Sequence, residues 1–123
     1  MTDLTFKQLR DASLERSALW HHGGISDWSL SDWLTATCGE LGEAANVIKK
    51  MNRARDGIVG NAASELDLVE ALADELADTA IYLVLLAAAA GVELDAAIIR
   101  KFNVVSERNG FPVRLISRQR GDQ

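Results

Sequence analysis

Two carboxylate pairs stand out in the 123-residue chain: Glu40 with Glu43, and Glu75 with Asp78. Each pair is spaced i, i+3, so on a helix its members share a face. On a helical wheel, Trp33, Thr37, Leu41, Ala44, Val47, Ile48 and Met51 fall in one sector about 100° wide. Glu40 lies inside that sector, and Glu43 sits at its edge, about 60° away. In the second pair, Tyr82 continues the acidic face one turn on, and Ile81 and Leu85 flank it. That face turns apolar just past the acids, whereas a solvated face would stay polar. A carboxylate on an apolar stripe must be paired, protonated or bound to a cation, because burying it bare costs several kcal/mol. A slight roll of the helix that carries both acids to water is the competing reading. From Asp56 to Asp95 there are nine acids and no Lys or Arg. Four carboxylates converging there point to a divalent metal, and oxygen ligands without His or Cys suit Mg²⁺ or Mn²⁺. A di-iron bundle needs Glu-x-x-His on two helices. His21 and His22 are adjacent and follow neither acid, so they are expected to be loop surface.

Four helices are expected to position these groups. The first spans about Thr5 to Trp20, with Phe6, Leu9, Leu14 and Leu19 as its apolar stripe, and ends at His21-His22-Gly23-Gly24. A loop runs through Asp27. Ser29 or Ser31 caps the second helix, with Asp32 in its first turn and Lys49, Lys50, Arg53 and Arg55 crowding its end, where the dipole favours cations. After a loop from Asp56 to Asn61, the third helix opens near Ser64, with Asp67 in a capping-box arrangement, and stops at Gly91. The fourth is expected to be capped by Asp95 and to end at Asn109-Gly110, before Pro112. The reading is an all-α chain, a four-helix bundle over residues 1–112 followed by a basic, loose tail over 113–123.

Composition agrees. Ala and Leu supply 34 residues against one proline, which favours helix. A net charge of −5 argues against duplex nucleic acid as a partner. One cysteine leaves no internal disulfide or Cys-built zinc site and suits a reducing compartment. The polar N-terminus shows no signal-like apolar stretch, so the expected location is cytoplasmic. The longest apolar run, Thr79 to Val92, is too short to span a bilayer, and no membrane role is expected. From Arg100 to Arg120 there are six basic residues and one acid, Glu107. This basic end either pairs with the acidic middle or serves as an anion site beside a cation site.

The motifs Glu40-Leu-Gly-Glu43 and Glu75-Leu-Ala-Asp78 resemble the signature of the MazG-like, all-α nucleoside triphosphate pyrophosphohydrolases. The likeness extends from about Leu9 to Leu115, through CGELGEAANVIKKMNR, ALADELADTAIYLVLLAAAAGVEL and RKFNVVSERNGFPVRL. The resemblance implies that Glu40, Glu43, Glu75 and Asp78 bind Mg²⁺, or Mn²⁺, and are the catalytic carboxylates. It implies that Tyr82 faces the nucleotide and that Lys101 reaches phosphate, with Asn103 and Arg108 in the same motif. Lys50 or Arg53 would add positive charge, and Trp20 or Trp28 would stack on a base unless they are core. The implied reaction releases a nucleoside monophosphate and pyrophosphate, in a homodimer or homotetramer. The chain departs from the pattern twice: 31 residues separate Glu43 from Glu75, a long spacing, and Gly39 stands where some relatives carry another glutamate. The other readings are a non-catalytic nucleotide-sensing or oligomerisation module, and a pyrophosphohydrolase of another phosphorylated metabolite.

Overall fold

The computed structural model describes residues 3–60 and 63–117, and among these it holds four helices and no strand. They are α1 (Phe6–Trp20), α2 (Leu30–Arg55), α3 (Glu65–Ala89) and α4 (Leu94–Arg108), with a 3₁₀ turn at Gly24–Asp27. The first three helices begin with reciprocal capping boxes: Thr5 with Gln8, Ser29 with Asp32, and Ser64 with Asp67. Each box satisfies two backbone N–H groups that the first turn leaves without a partner. α4 differs from expectation. Its cap position is Glu93, whose side chain is drawn instead to Arg10 of α1 at 2.7 Å. Asp95 sits inside the first turn and accepts from the Ala96 amide.

α2, α3 and α4 end alike. In α3 the Val92 amide donates to the Ala87 carbonyl and the Gly91 amide to Ala88. This double closure requires a left-handed residue, and Gly91 supplies it at φ 70°.

α2 and α3 form an antiparallel hairpin: Trp33 meets Tyr82 at one end, Glu40 meets Glu75 midway, and Met51 shares a cleft with Leu68 at the other. Trp33, Ala44 and Val47 from α2 and Leu68, Val84, Leu85 and Ala87 from α3 are buried. α1 packs on α3 through a different face from the one expected. Its buried residues are Ser13 and Ser17, whereas Leu19 is 81% exposed. The chain turns by 101° between α3 and α4, and α4 touches α1 and α3 only sparsely and α2 not at all. The compact unit is therefore α1 to α3 with α4 set across its end. The tail folds back on α4: the Asn103 side chain donates to the Leu115 carbonyl and accepts from its amide, at 2.8 and 2.7 Å. Residues 113–117 thus have a defined path, and residues 118–123 of the expected loose tail lie outside the described residues. No single helix among the described residues is long and apolar enough to cross a membrane.

Candidate metal centre and adjoining cavity

The buried arc of α2 is centred on Trp33, Thr37, Ala44 and Val47, while Leu41 and Ile48 face outward. The helix is rolled relative to the expected sector, and the roll turns Glu40 inward, into the arc between Ala44 and Val47. Glu40 is half-buried and Glu43 exposed, so the competing reading, in which both acids reach water, holds for Glu43 alone. On α3, Glu75 is half-buried and Asp78 exposed. Glu40, Glu75 and Asp78 each offer a carboxylate oxygen, and these three lie within 4.8 Å of one another. Glu43 stands outside this trio, near enough for its charge to act on Glu75.

The crowding shows in Glu75. Its carboxyl is held above the usual carboxylate range, first by a hydrogen bond with Glu40, then by desolvation, then by the charges of Glu40, Glu43 and Asp78. An acid so close to other carboxylates resists ionising, because full charges at that range repel. Among the described residues, none of the four acids takes part in an ion pair. A hard divalent cation fits this all-oxygen donor set. Among the described residues, Arg100, Lys101 and Arg108 do not pair with the acidic middle, whose one interhelical ion pair is Glu93 with Arg10.

Glu40 and Asp78 also form part of the wall of a cavity of about 170 Å³ between α1, the 3₁₀ turn and the α2–α3 hairpin. Its aromatic walls are Trp20, His21, Trp28, Trp33 and Tyr82. Trp28 and Trp33 lie 4.6 Å apart between ring centroids, His21 stands edge-on to Trp28 at 4.9 Å, and Tyr82 is 6.3 Å from Trp33. Trp33 anchors the group, at 1% exposure, with its indole N–H donating to the Ile25 carbonyl at 3.1 Å. This bond ties the 3₁₀ turn to α2. Ser13, Arg16 and Ser17 supply the α1 wall, and the Arg16 guanidinium lies 5.3 Å over the Trp20 ring.

The structure thus brings together Glu40, Glu75, Asp78, Tyr82, Trp20 and Trp28. Trp20 is not core: it is 69% exposed and stands at the cavity wall. His21 is likewise no simple loop-surface residue, being half-buried among the tryptophans. Lys50 and Arg53 lie further along α2, roughly 15 and 20 Å from Glu40 at the helical rise. They do not line the cavity. Lys101, Asn103 and Arg108 are on α4, which contributes nothing to the cavity within one chain. Both ends of the Asn103 amide are engaged by the Leu115 backbone, which removes it from substrate binding in this arrangement.

Sequence reasoning missed Ser13, Arg16, Ser17 and His21. The signal for the serines was their i, i+4 spacing in line with Leu9, which places all three on one face of α1. A search of protein-family models returns no match to the chain, and neither does a search of curated proteins.

Proposed function

We propose that this chain is a Mg²⁺-dependent nucleoside triphosphate pyrophosphohydrolase with a MazG-like bundle that works as a homo-oligomer. The observation that carries the reading is the contact between two features: a three-carboxylate cluster and an aromatic cavity that share Glu40 and Asp78. Flat aromatic walls suit a nucleobase, and clustered oxygens suit the cation that accompanies a triphosphate.

Glu40, Glu75 and Asp78 would hold Mg²⁺ or Mn²⁺, with Glu43 adding its charge from the exposed edge. The bound cation would offset charge on the phosphates and lower the pKa of the attacking water. A base seated in the aromatic cavity leaves the sugar and then the α-phosphate next along the molecule. The carboxylates at the cavity wall therefore meet the α-phosphate before the outer ones. Attack there breaks the bond to the β-phosphate and releases a nucleoside monophosphate and pyrophosphate. In this reading Lys101 and Arg108 reach the outer phosphates of a neighbouring subunit's substrate, because α4 does not approach α2 in its own chain.

Two exposed apolar stripes support self-association. Leu34, Leu41 and Ile48 on α2 and Val69, Leu76 and Leu83 on α3 recur every seven residues and are 42–51% exposed, Leu41 reaching 54%. The two rows stand level along the hairpin, as the sides of a helical seam do. The expected state is a homodimer or homotetramer, and a monomer at micromolar concentration in sedimentation velocity would count against it.

Hydrolysis in ¹⁸O-labelled water with Mg²⁺ and a panel of nucleoside triphosphates tests the reaction. Label is expected in the monophosphate and absent from pyrophosphate. Label in released orthophosphate would place attack at the outer phosphate and overturn the assignment. No turnover of any nucleotide would favour a nucleotide-sensing module.

A further inference from the structure

Ser17 belongs to the cavity wall contributed by α1, is 2% exposed, and its Oγ is buried without a hydrogen-bond partner. Threonine hydroxyls elsewhere in these helices turn back on their own backbone. Thr35 donates to the Ser31 carbonyl, Thr37 to Trp33 and Thr79 to Glu75, at 2.7–2.8 Å. Ser17 makes no such bond. A buried hydroxyl without a partner gives up its bonds to water and regains nothing, which works against folding. Nothing in the packing of α1 calls for it, because alanine would fill nearly the same space.

The hydroxyl itself is covered, and a change of rotamer carries it to the cavity wall, whose other residues specify what it meets there. Trp28, Trp33 and Tyr82 present rings, and Ile81 and Leu85 present aliphatic surface. At about 170 Å³ the cavity is smaller than pockets that enclose a whole drug-sized ligand, which run roughly 300–1,000 Å³. It takes one flat ring system and leaves the remainder of the molecule outside, beside Glu40 and Asp78. Hydrophobic walls bind such rings with little regard to identity. Selectivity arises where a buried polar group needs a particular atom opposite it.

We infer that Ser17 is a specificity-determining residue whose hydroxyl hydrogen-bonds the polar edge of the nucleobase held in this cavity. This rests on the nucleotide reading above and names the group that chooses among bases. Bases that place a complementary donor or acceptor against Ser17 satisfy its hydroxyl. A base that places a C–H there leaves it unpaired.

The test is equilibrium binding, so that it does not depend on hydrolysis. Quenching of tryptophan fluorescence is titrated with the nucleoside 5′-monophosphates of the five common bases, without divalent ions, in the full chain and in Ser17→Ala. The wild-type chain is expected to prefer one base. Ser17→Ala is expected to weaken that base about tenfold and to leave the others within about twofold. Its melting temperature should equal or exceed that of the wild type, since the unpaired hydroxyl is gone, and this shows that the variant is folded. Equal weakening of every base, unchanged affinities, or a wild-type chain that binds no monophosphate would each overturn the inference. A wild-type chain that shows the preference and the Ser17 effect but releases no pyrophosphate would overturn the proposed activity and leave the role of Ser17 standing.

Discussion

Glu40 on α2 and Glu75 on α3 face each other across the helix hairpin, with carboxylate oxygens within 4.8 Å, and the proximity holds the Glu75 carboxyl above its ordinary range. Packing above and below, from Trp33 to Tyr82 and from Met51 to Leu68, holds the helices at a spacing the two acids would not choose. Sites that bind ions often carry such opposed charges, because a protein built to hold a cation repels itself without one.

The first prediction follows. Glu75→Gln keeps the shape of the side chain and removes one charge from the cluster. Without divalent ions its melting temperature should match or exceed the wild-type value. Adding Mg²⁺ should raise the wild-type melting temperature by mass action and leave that of Glu75→Gln nearly unchanged. Nucleotide hydrolysis should fall by about a hundredfold or more. An equal Mg²⁺-induced shift in both proteins would remove Glu75 from the site.

The helix boundaries were legible because caps are local. Ser29 with Asp32 and Ser64 with Asp67 satisfy their own first turns whatever the tertiary structure does. The carboxylate spacing was legible for the same reason, since i, i+3 residues share a face on any helix. The roll of α2 was not. Leu41 and Ile48 are as apolar as Val47, and only the position of α3 decides which of them is covered. The α1 wall was hidden by chemistry: serines carry no apolar signal for burial, yet Ser13 and Ser17 are the buried residues of α1. The 101° turn into α4 depends on a few backbone angles around Gly91 and carries Lys101, expected to reach phosphate, away from the cavity.

Trp33 is the residue on which the cavity depends. Trp33→Phe removes the indole N–H and leaves the Ile25 carbonyl unpaired, in addition to losing ring area. The expected cost is about 2 kcal/mol in denaturant unfolding, against about 4 kcal/mol for Trp33→Ala. Amide exchange should quicken selectively in the 3₁₀ turn Gly24–Asp27, which the lost bond anchors. Uniform exchange across the chain with unchanged stability would contradict the anchoring role.

Acid should destabilise the caps. The Asp32 carboxyl is held below its ordinary range, first by the Ser29 backbone amide and then by the Ser29 hydroxyl. A depressed folded-state pKa means the stabilisation is present above the unfolded pKa and is lost as pH falls through the folded one. Asp11, bonded to Lys7, and Asp56, bonded to Arg55, shift in the same direction. Urea unfolding of wild type and Asp32→Asn should differ steadily above about pH 5 and converge below about pH 3. A difference that persists in strong acid would mean the cap acts through shape and not through charge.

Asn103 clasps Leu115 with both ends of its amide, and this pair of bonds holds the segment after Phe111 against α4. Among the described residues no other side chain of α4 bonds to that stretch, and Arg114 bonds only to nearby carbonyls of the tail itself. Asn103→Asp keeps the acceptor for the Leu115 amide and sets a charged oxygen against the Leu115 carbonyl. Asn103→Ala removes both bonds at a cost of about 1 kcal/mol, because the freed backbone groups are exposed and water replaces the partner. Brief trypsin treatment should therefore cut after Arg114 faster in both variants than in the wild type, while the helical circular dichroism stays unchanged. The order matters: Asn103→Asp should be cut at least as fast as Asn103→Ala if carbonyl repulsion outweighs the retained amide bond. Wild-type resistance at Arg114 in both variants would show that Phe111 and Val113, seated over Ser106 and Val105, hold the tail without the clasp.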